Sequence, residues 1–191
     1  MRVLVVYAHP NPESFNNSIQ LLVCSELKTL GHEVELLDLY QNNFNPCMSR
    51  EERASYMSKD NTRPVEPYVQ QLQKADALVM VYPTWWMGPP AILKGWLDRV
   101  WLPSVVAEIG PNGVAAKLTN IKKILIITTQ GSSGLRMNLL GNPPKLMMKA
   151  CLKICTKSKE IDWMALYKMD KIDNAARVKF LNKIQAKLHL F

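Results

Sequence analysis

No stretch of this 191-residue chain approaches the roughly 20 consecutive apolar residues that span a bilayer. Its longest apolar runs cover only residues 3–8, 77–82 and 124–127. The N-terminus opens directly on a strand-like run with no signal-peptide pattern, so a soluble cytoplasmic protein is expected. Cysteine is scarce, with four residues and no CxxC pair, and the three histidines, His9, His32 and His189, are scattered. That spacing argues against a zinc site, and no metal is expected. Glycine is scarce too, at 8 residues, and neither GxGxxG nor a P-loop lysine motif occurs. The common dinucleotide and nucleoside-triphosphate fingerprints are therefore excluded. Repeats, low-complexity tracts and Gly/Ser linkers are also missing, which makes one domain over 1–191 the expectation.

What is present is a sizeable apolar fraction, 48%, and a net charge of +8. The charge is uneven: residues 145–191 hold 11 basic against 4 acidic side chains, and the first 144 hold 13 against 12. No aromatic residues interleave with the C-terminal lysines, so a solvated basic face is expected and nucleic acid is not. Cys151 and Cys155, four apart in an expected helix, read as small core residues on one helix face.

Strand-like and helix-like segments alternate. Residues 3–7, 77–82 and 124–129 are continuous apolar, β-branched runs, as strands covered on both faces should be. Residues 33–38 and 160–166 complete five strands. Helices are expected over 16–30, 66–74, 91–101, 144–154 and 174–188, the last turning Val178, Leu181, Ile184 and Leu188 inward. A polar excursion over 42–67 carries one short helix near 49–58, which Ser49 can cap. This pattern implies an α/β fold, a doubly wound five-stranded parallel sheet in the flavodoxin-like order 2-1-3-4-5. In such a sheet ligands bind beyond the carboxyl ends of the strands near the switch in strand order. That rule singles out the loops after Tyr7, Tyr82 and Thr129.

The first loop, AHPNPESFNNS at 8–18, sets hydroxyl and amide side chains where a helix begins, a place suited to a phosphate. Simple capping by Ser14 or Asn16 is the competing reading. Ala-His-Pro after a strand also opens the metal site of zinc-dependent sugar deacetylases, but the acidic ligands needed after the proline are absent. The second loop, PTWWMGPP at 83–90, has two adjacent tryptophans. A large flat ring needs an apolar floor and backbone donors at its edge. Trp85, Trp86 and Met87 offer both, Gly88 is expected to permit close approach, and one tryptophan is expected to fill core or a subunit interface. The helix that follows carries Ile92, Leu93, Trp96, Leu97, Val100 and Trp101, a stripe wide enough to imply burial on two sides and hence a homodimer. The third loop, TTQGSSG at 128–134, is a string of small polar residues on the same edge.

AHPNPESFN at 8–16, YPTWWMGPPAILKGWLDRVW at 82–101 and TTQGSSG at 128–134 together carry a resemblance. The chain resembles the NAD(P)H:quinone oxidoreductase (DT-diaphorase-like) group of flavodoxin-like proteins. That group includes bacterial modulators of drug activity and ancillary subunits of potassium-efflux systems. The resemblance implies a bound flavin, FMN or FAD, reduced by NADH or NADPH and reoxidised by a quinone-like small molecule, in a homodimer. It implies that His9, Ser14, Phe15 and Asn16 bind the flavin phosphate. It also implies that Pro83, Thr84, Trp85, Trp86 and Met87 lie along the isoalloxazine, and that Thr128, Thr129 and Gly131 meet its edge. The alternative it leaves is a flavin-binding ancillary subunit docking on a membrane transporter. Two departures stand out: Gln130 occupies a position that is glycine in close relatives, and no Tyr or His occurs between 102 and 166 to supply the family's charge relay. Arg136 is the only substitute that the third loop suggests.

Overall fold

The computed structural model describes residues 1–58, 60–110, 113–158 and 160–191, without the side chain of Ile109. The chain runs β1 (Arg2–Tyr7), α1 (Phe15–Thr29), β2 (Glu33–Asp38), α2 (Arg50–Ala54), α3 (Glu66–Lys74), β3 (Ala77–Pro83), α4 (Ala91–Val100), β4 (Ala107–Gly110), β5 (Gly113–Ala116), β6 (Lys123–Thr129), α5 (Gly134–Leu139), α6 (Pro143–Cys155), β7 (Glu160–Leu166) and α7 (Asn174–Leu188). Short 3-10 turns cover Arg63–Val65 and Met169–Lys171.

The five long strands form one parallel sheet in the order β2-β1-β3-β6-β7, which is the expected 2-1-3-4-5. β4 and β5 form a separate antiparallel two-stranded sheet that the periodicity did not anticipate. Period-2 alternation sends Val3, Val5, Val79, Val81, Leu125 and Ile127 to the face packed by α1 and α7. Leu4, Val6, Leu78, Met80, Ile124 and Ile126 face the other core, with Leu72, Trp96 and Leu152. Both faces are covered, and this is why the strands read as unbroken apolar runs. On α7 the inward residues are Phe180, Ile184 and Leu188, with Leu181 partly buried. Val178 is exposed rather than inward, because the helix presents the stripe at 180, 184 and 188 to the sheet.

The excursion over 42–67 is held down in a specific way. Ser49 and Glu52 form a capping box that starts α2. The helix stops at Ala54, short of the expected 58; Ser55 bonds back to the Glu51 carbonyl at 3.0 Å. Buried Asn61 donates to the carbonyls of Tyr56 (2.8 Å) and Pro103 (2.9 Å). The excursion then lies on α4. The wide apolar stripe of α4 is thereby buried within one chain, Trp96 and Val100 at 0% and Trp101 at 6% exposure. It leaves no free face for a partner, so the stripe itself does not argue for a dimer.

Pro46 seats directly on Gly95 in the middle of α4. A Cβ there would lie 2.4 Å from Pro46 backbone atoms. In an exposed helix Gly→Ala gains about 1 kcal/mol. Here Gly95→Ala is expected to lose about 1–3 kcal/mol through overpacking, read as a lower denaturant midpoint.

Candidate functional site

The carboxyl ends of β1, β3, β6 and β7 are laced together by backbone bonds that continue past the strands. Ala8 N–H donates to Val81 O (3.1 Å), Thr84 N–H to Thr129 O (2.8 Å) and Gln130 N–H to Leu166 O (2.8 Å). Two side-chain bonds add to them: Asn16 Nδ2 to Thr129 Oγ1 at 2.9 Å, and Thr84 Oγ1 with Thr128 Oγ1 at 2.8 Å. Between these loops lies a cavity of about 640 Å³, within the range of small-molecule sites. Of the residues expected at a site, His9, Ser14, Phe15, Asn16, Pro83, Thr84, Trp85, Trp86, Thr129 and Gly131 line it. Met87 and Thr128 do not: Thr128 is fully buried behind the wall and holds Thr84, and Met87 faces outward from its turn, half-exposed.

In the first loop Ser14 is the N-cap of α1, accepting from Asn17 N–H at 3.2 Å, and it also faces the cavity. Capping and lining therefore coexist. The Tyr7 hydroxyl, whose pKa burial pushes up, sits 3.4 Å from Ser14 Oγ. The N–H groups of Phe15 and Asn16 have no acceptor among the described residues, which leaves the positive end of a 15-residue helix open to an anion. His9 Nδ1 lies 3.0 Å from Asn11 N and 3.2 Å from Asn11 O, and the tautomer sets whether it accepts from the N–H or donates to the carbonyl. Burial holds the imidazole below its usual 6.5, opposed by a hydrogen bond from the ring N–H to the Asn11 carbonyl. The unfolded chain therefore takes up this proton first, and His9 adds stability that is present above pH 6.5 and lost as pH falls through its folded pKa. Melting temperatures at pH 7 and pH 5 should differ less in His9→Gln than in the parent.

The second loop is a two-residue turn. Trp85 N–H donates to Gly88 O (2.9 Å) and Gly88 N–H to Trp85 O (3.0 Å). The two central residues both have positive φ, Trp86 at 48° and Met87 at 62°. This is the type I′ pattern, which normally calls for Asn-Gly. Gly88 was expected to permit close approach, yet a Cβ on it would meet only Trp85 O, at 3.9 Å, and its φ is not positive. Hairpin register, not glycine placement, decides which residues turn left-handed. Neither tryptophan is core: Trp85 is 43% and Trp86 102% exposed. Trp85 leans toward His9 across the cavity mouth, ring centroids 6.0 Å apart. The Trp85 N–H is consumed by the turn, so only those of Trp86 and Met87 lack an acceptor among the described residues. Left-handed backbone costs a bulky residue roughly 1–2 kcal/mol. Met87→Gly is therefore expected to raise stability by about 1 kcal/mol, seen as a higher melting temperature.

The third loop is joined by a fourth segment. Met169 and Asp170, beyond β7, line the cavity with Gln130. Asp170 packs so close over Gly131 that a Cβ there would stand 2.8 Å from its carboxylate. Sequence reading missed Met169 and Asp170, although the strand-end rule applied to β7 points to them. Arg136 is exposed on α5 and does not line the cavity. Tyr167, one residue past the Tyr- and His-free span, packs beside Gly134 and accepts from Asn142 Nδ2 at 3.2 Å, also outside the lining.

Among the described residues Asp170 is the one charged side chain of the cavity wall, which holds no lysine or arginine. No basic side chain of the C-terminal quarter lines it among the described residues, although Met169 and Asp170 of that quarter do. Three buried atoms in the wall have no partner among the described residues: Asn16 Oδ1, Gln130 Oε1 and Gln130 Nε2. Buried polar groups are normally satisfied. A flat, partly polar ligand with an anionic group fits these features: indole surface at the mouth, orphaned amides in the wall, and a helix N-terminus with Ser14 and neutral His9 for the anion.

Comparison with known proteins agrees with this geometry. The chain is 32% identical over 149 residues to mouse ribosyldihydronicotinamide dehydrogenase [quinone], covering 69% of this chain and 64% of the mouse enzyme. It is 38% identical over 138 residues to an uncharacterised NAD(P)H oxidoreductase of Haemophilus influenzae, covering 70% and 66%. The matches thus span just under two thirds of these relatives' length. A crystal structure from Streptococcus mutans superposes over 100% of both chains at 31% identity, with a TM-score of 0.91. The NAD(P)H:quinone oxidoreductase of Methanothermobacter marburgensis superposes over 98% of this chain and 97% of its own at 26% identity and a TM-score of 0.85. The family model described as flavodoxin-like fold matches residues 1–188, and the chain belongs to that family.

Proposed function

We propose that this chain is a flavin-dependent oxidoreductase that takes hydride from NADH or NADPH and delivers it to a quinone or similar electrophile. The observation that carries this reading is the cavity at the switch in strand order, where an open helix N-terminus, exposed indole surface and unpartnered amides meet. Bound there, a flavin would supply the hydride-accepting and hydride-donating chemistry. The residues then have separable tasks. Ser14, His9 and the N–H groups of Phe15 and Asn16 hold the phosphate. Pro83, Thr84 and Trp85 form the wall beside the ring, Trp86 extends it at the mouth, and Thr129 and Gly131 border its edge. The Trp86 and Met87 N–H groups remain available to stabilise negative charge on a ligand. The relatives' names favour turnover over docking on a transporter, and NAD(P)H chemistry of this kind suits the cytoplasm. Among the described residues no helix is long and apolar enough to cross a membrane.

We also propose a homodimer, on a different basis from the α4 stripe. Trp86 is fully exposed, and α5, which follows the third loop, exposes Leu135 (74%) and Leu139 (80%). A second copy covering them would close the cavity mouth. The purified protein should then elute at twice its 21.7 kDa chain mass, and a monomer at micromolar concentration would exclude this assembly. The activity is tested by the visible absorption spectrum of flavin-reconstituted protein: NADPH or NADH should bleach it and a quinone should restore it. A loaded sample that neither nucleotide reduces would sink the reading.

A further inference from the structure

Gln130 is the one residue of the cavity wall whose side chain is buried with both ends unpaired. It is 3% exposed, and neither Oε1 nor Nε2 has a hydrogen-bond partner among the described residues. The other buried amides are at least half used. Asn16 Nδ2 donates to Thr129, Gln20 Nε2 to Cys24 Sγ, Asn142 Nδ2 to Tyr167, and Asn61 Nδ2 bridges two carbonyls. The Gln130 main chain is also fixed in place. Its N–H donates to Leu166 O at 2.8 Å and its carbonyl accepts from Met169 N–H at 3.0 Å, clamping the residue between the end of β6 and the segment after β7. A buried carboxamide left unpaired is destabilising. Its neighbours cannot take over its role: Thr129 Oγ1 is engaged by Asn16, and Gly131 has no side chain.

We propose that the Gln130 carboxamide reads the pyrimidine end of a bound flavin, pairing side by side with its imide edge, one ring carbonyl and the adjacent N3–H. The inference rests on the flavin reading above and deepens it. A primary carboxamide presents one N–H and one C=O together, complementary to a ligand edge carrying C=O next to N–H. The isoalloxazine has such an edge only at its pyrimidine end. Gln130 therefore sets the orientation of the ring, polar end toward β6 and hydrocarbon end toward the tryptophan turn, and selects against flat ligands that lack an imide.

The test titrates apo-protein with FMN and with FMN methylated at N3, following flavin fluorescence. The parent should bind the methylated analogue about 10- to 100-fold more weakly than FMN. Gln130→Leu should bind FMN weaker by a similar factor and cease to distinguish the two, and Gln130→Gly should behave likewise. As a second readout, apo Gln130→Leu should melt about 2–4 °C higher than the parent, because an unpaired buried amide is gone. Equal affinity of the parent for both flavins overturns the proposal, as does unchanged FMN affinity in the variants. So does a lower melting temperature of apo Gln130→Leu, which would mark the amide as a structural bond. A parent that binds neither FMN nor FAD overturns the flavin reading itself, and this proposal with it.

Discussion

Arg99→Ala is expected to lower the melting temperature by roughly 6–12 °C, from a loss of about 3 kcal/mol. Arg99 stands on α4 and reaches into the excursion. Its Nε and Nη2 donate to Glu52 Oε1 at 2.8 and 2.6 Å, and its Nη1 donates to the Asn45 carbonyl. Its guanidinium lies 5.4 Å from the centre of the Phe44 ring. The two charged side chains are only 10% and 12% exposed, so removing one strands the other in a poorly hydrated place. Surface pairs such as Lys94–Asp98, half-exposed on both sides, lack this leverage. The double variant Arg99→Met/Glu52→Leu should recover part of the loss, since buried ion pairs exchange for apolar groups at little cost, while the capping-box bond from Ser49 N–H to Glu52 stays lost. Calorimetry of the single and double variants decides it; an Arg99→Ala protein melting with the parent would show that the excursion is held by apolar packing alone. Because α4 starts directly after the tryptophan turn, flavin affinity should fall along with stability.

Asn16→Leu is expected to affect ligand binding as strongly as Gln130→Leu, with a loss of flavin affinity of roughly 10- to 100-fold. The side chain is 4% exposed and ties the first loop to the third through Thr129. Its Oδ1 remains an unpaired acceptor in the wall. Leucine keeps the volume while removing both the cross-link and the acceptor. Ser14→Ala, by comparison, forfeits an N-cap bond and should cost about 1 kcal/mol of stability. Equilibrium titration of apo-protein with FMN should show a smaller loss for Ser14→Ala, which gives up one phosphate contact, than for Asn16→Leu, and an Asn16→Leu protein that binds FMN like the parent would remove Asn16 from the site.

Strand positions were legible from residues alone, because a strand covered on both faces must be apolar throughout, and the runs at 3–7, 77–82 and 124–129 have no other soluble explanation. The excursion was less so. Its proline-punctuated polar sequence gives a helix start at Ser49 but says nothing of Pro46 landing on Gly95 or Glu52 reaching Arg99, contacts set by where α4 lies in space. The α4 stripe shows the same limit: width reports how much surface is buried, not whether the cover comes from the same chain. The tryptophan pair was conspicuous, yet its strained turn was not, because a Trp-Met pair is the last choice for left-handed positions. Such strain is tolerated where the surroundings impose it, and it clusters at functional sites.

Local sequence thus determined the alternation of elements, the parallel sheet and the edge on which a site must lie, since these follow from periodicity and strand polarity. Tertiary structure alone decided which side chains face the cavity. Asn16 meets Thr129 from 113 residues away, Met169 and Asp170 arrive from beyond the last strand, and the Gln130 side chain, without a partner among the described residues, is buried by the segments that close around it. Burial and hydrogen-bond satisfaction are properties of the assembled fold, and no window of sequence contains them.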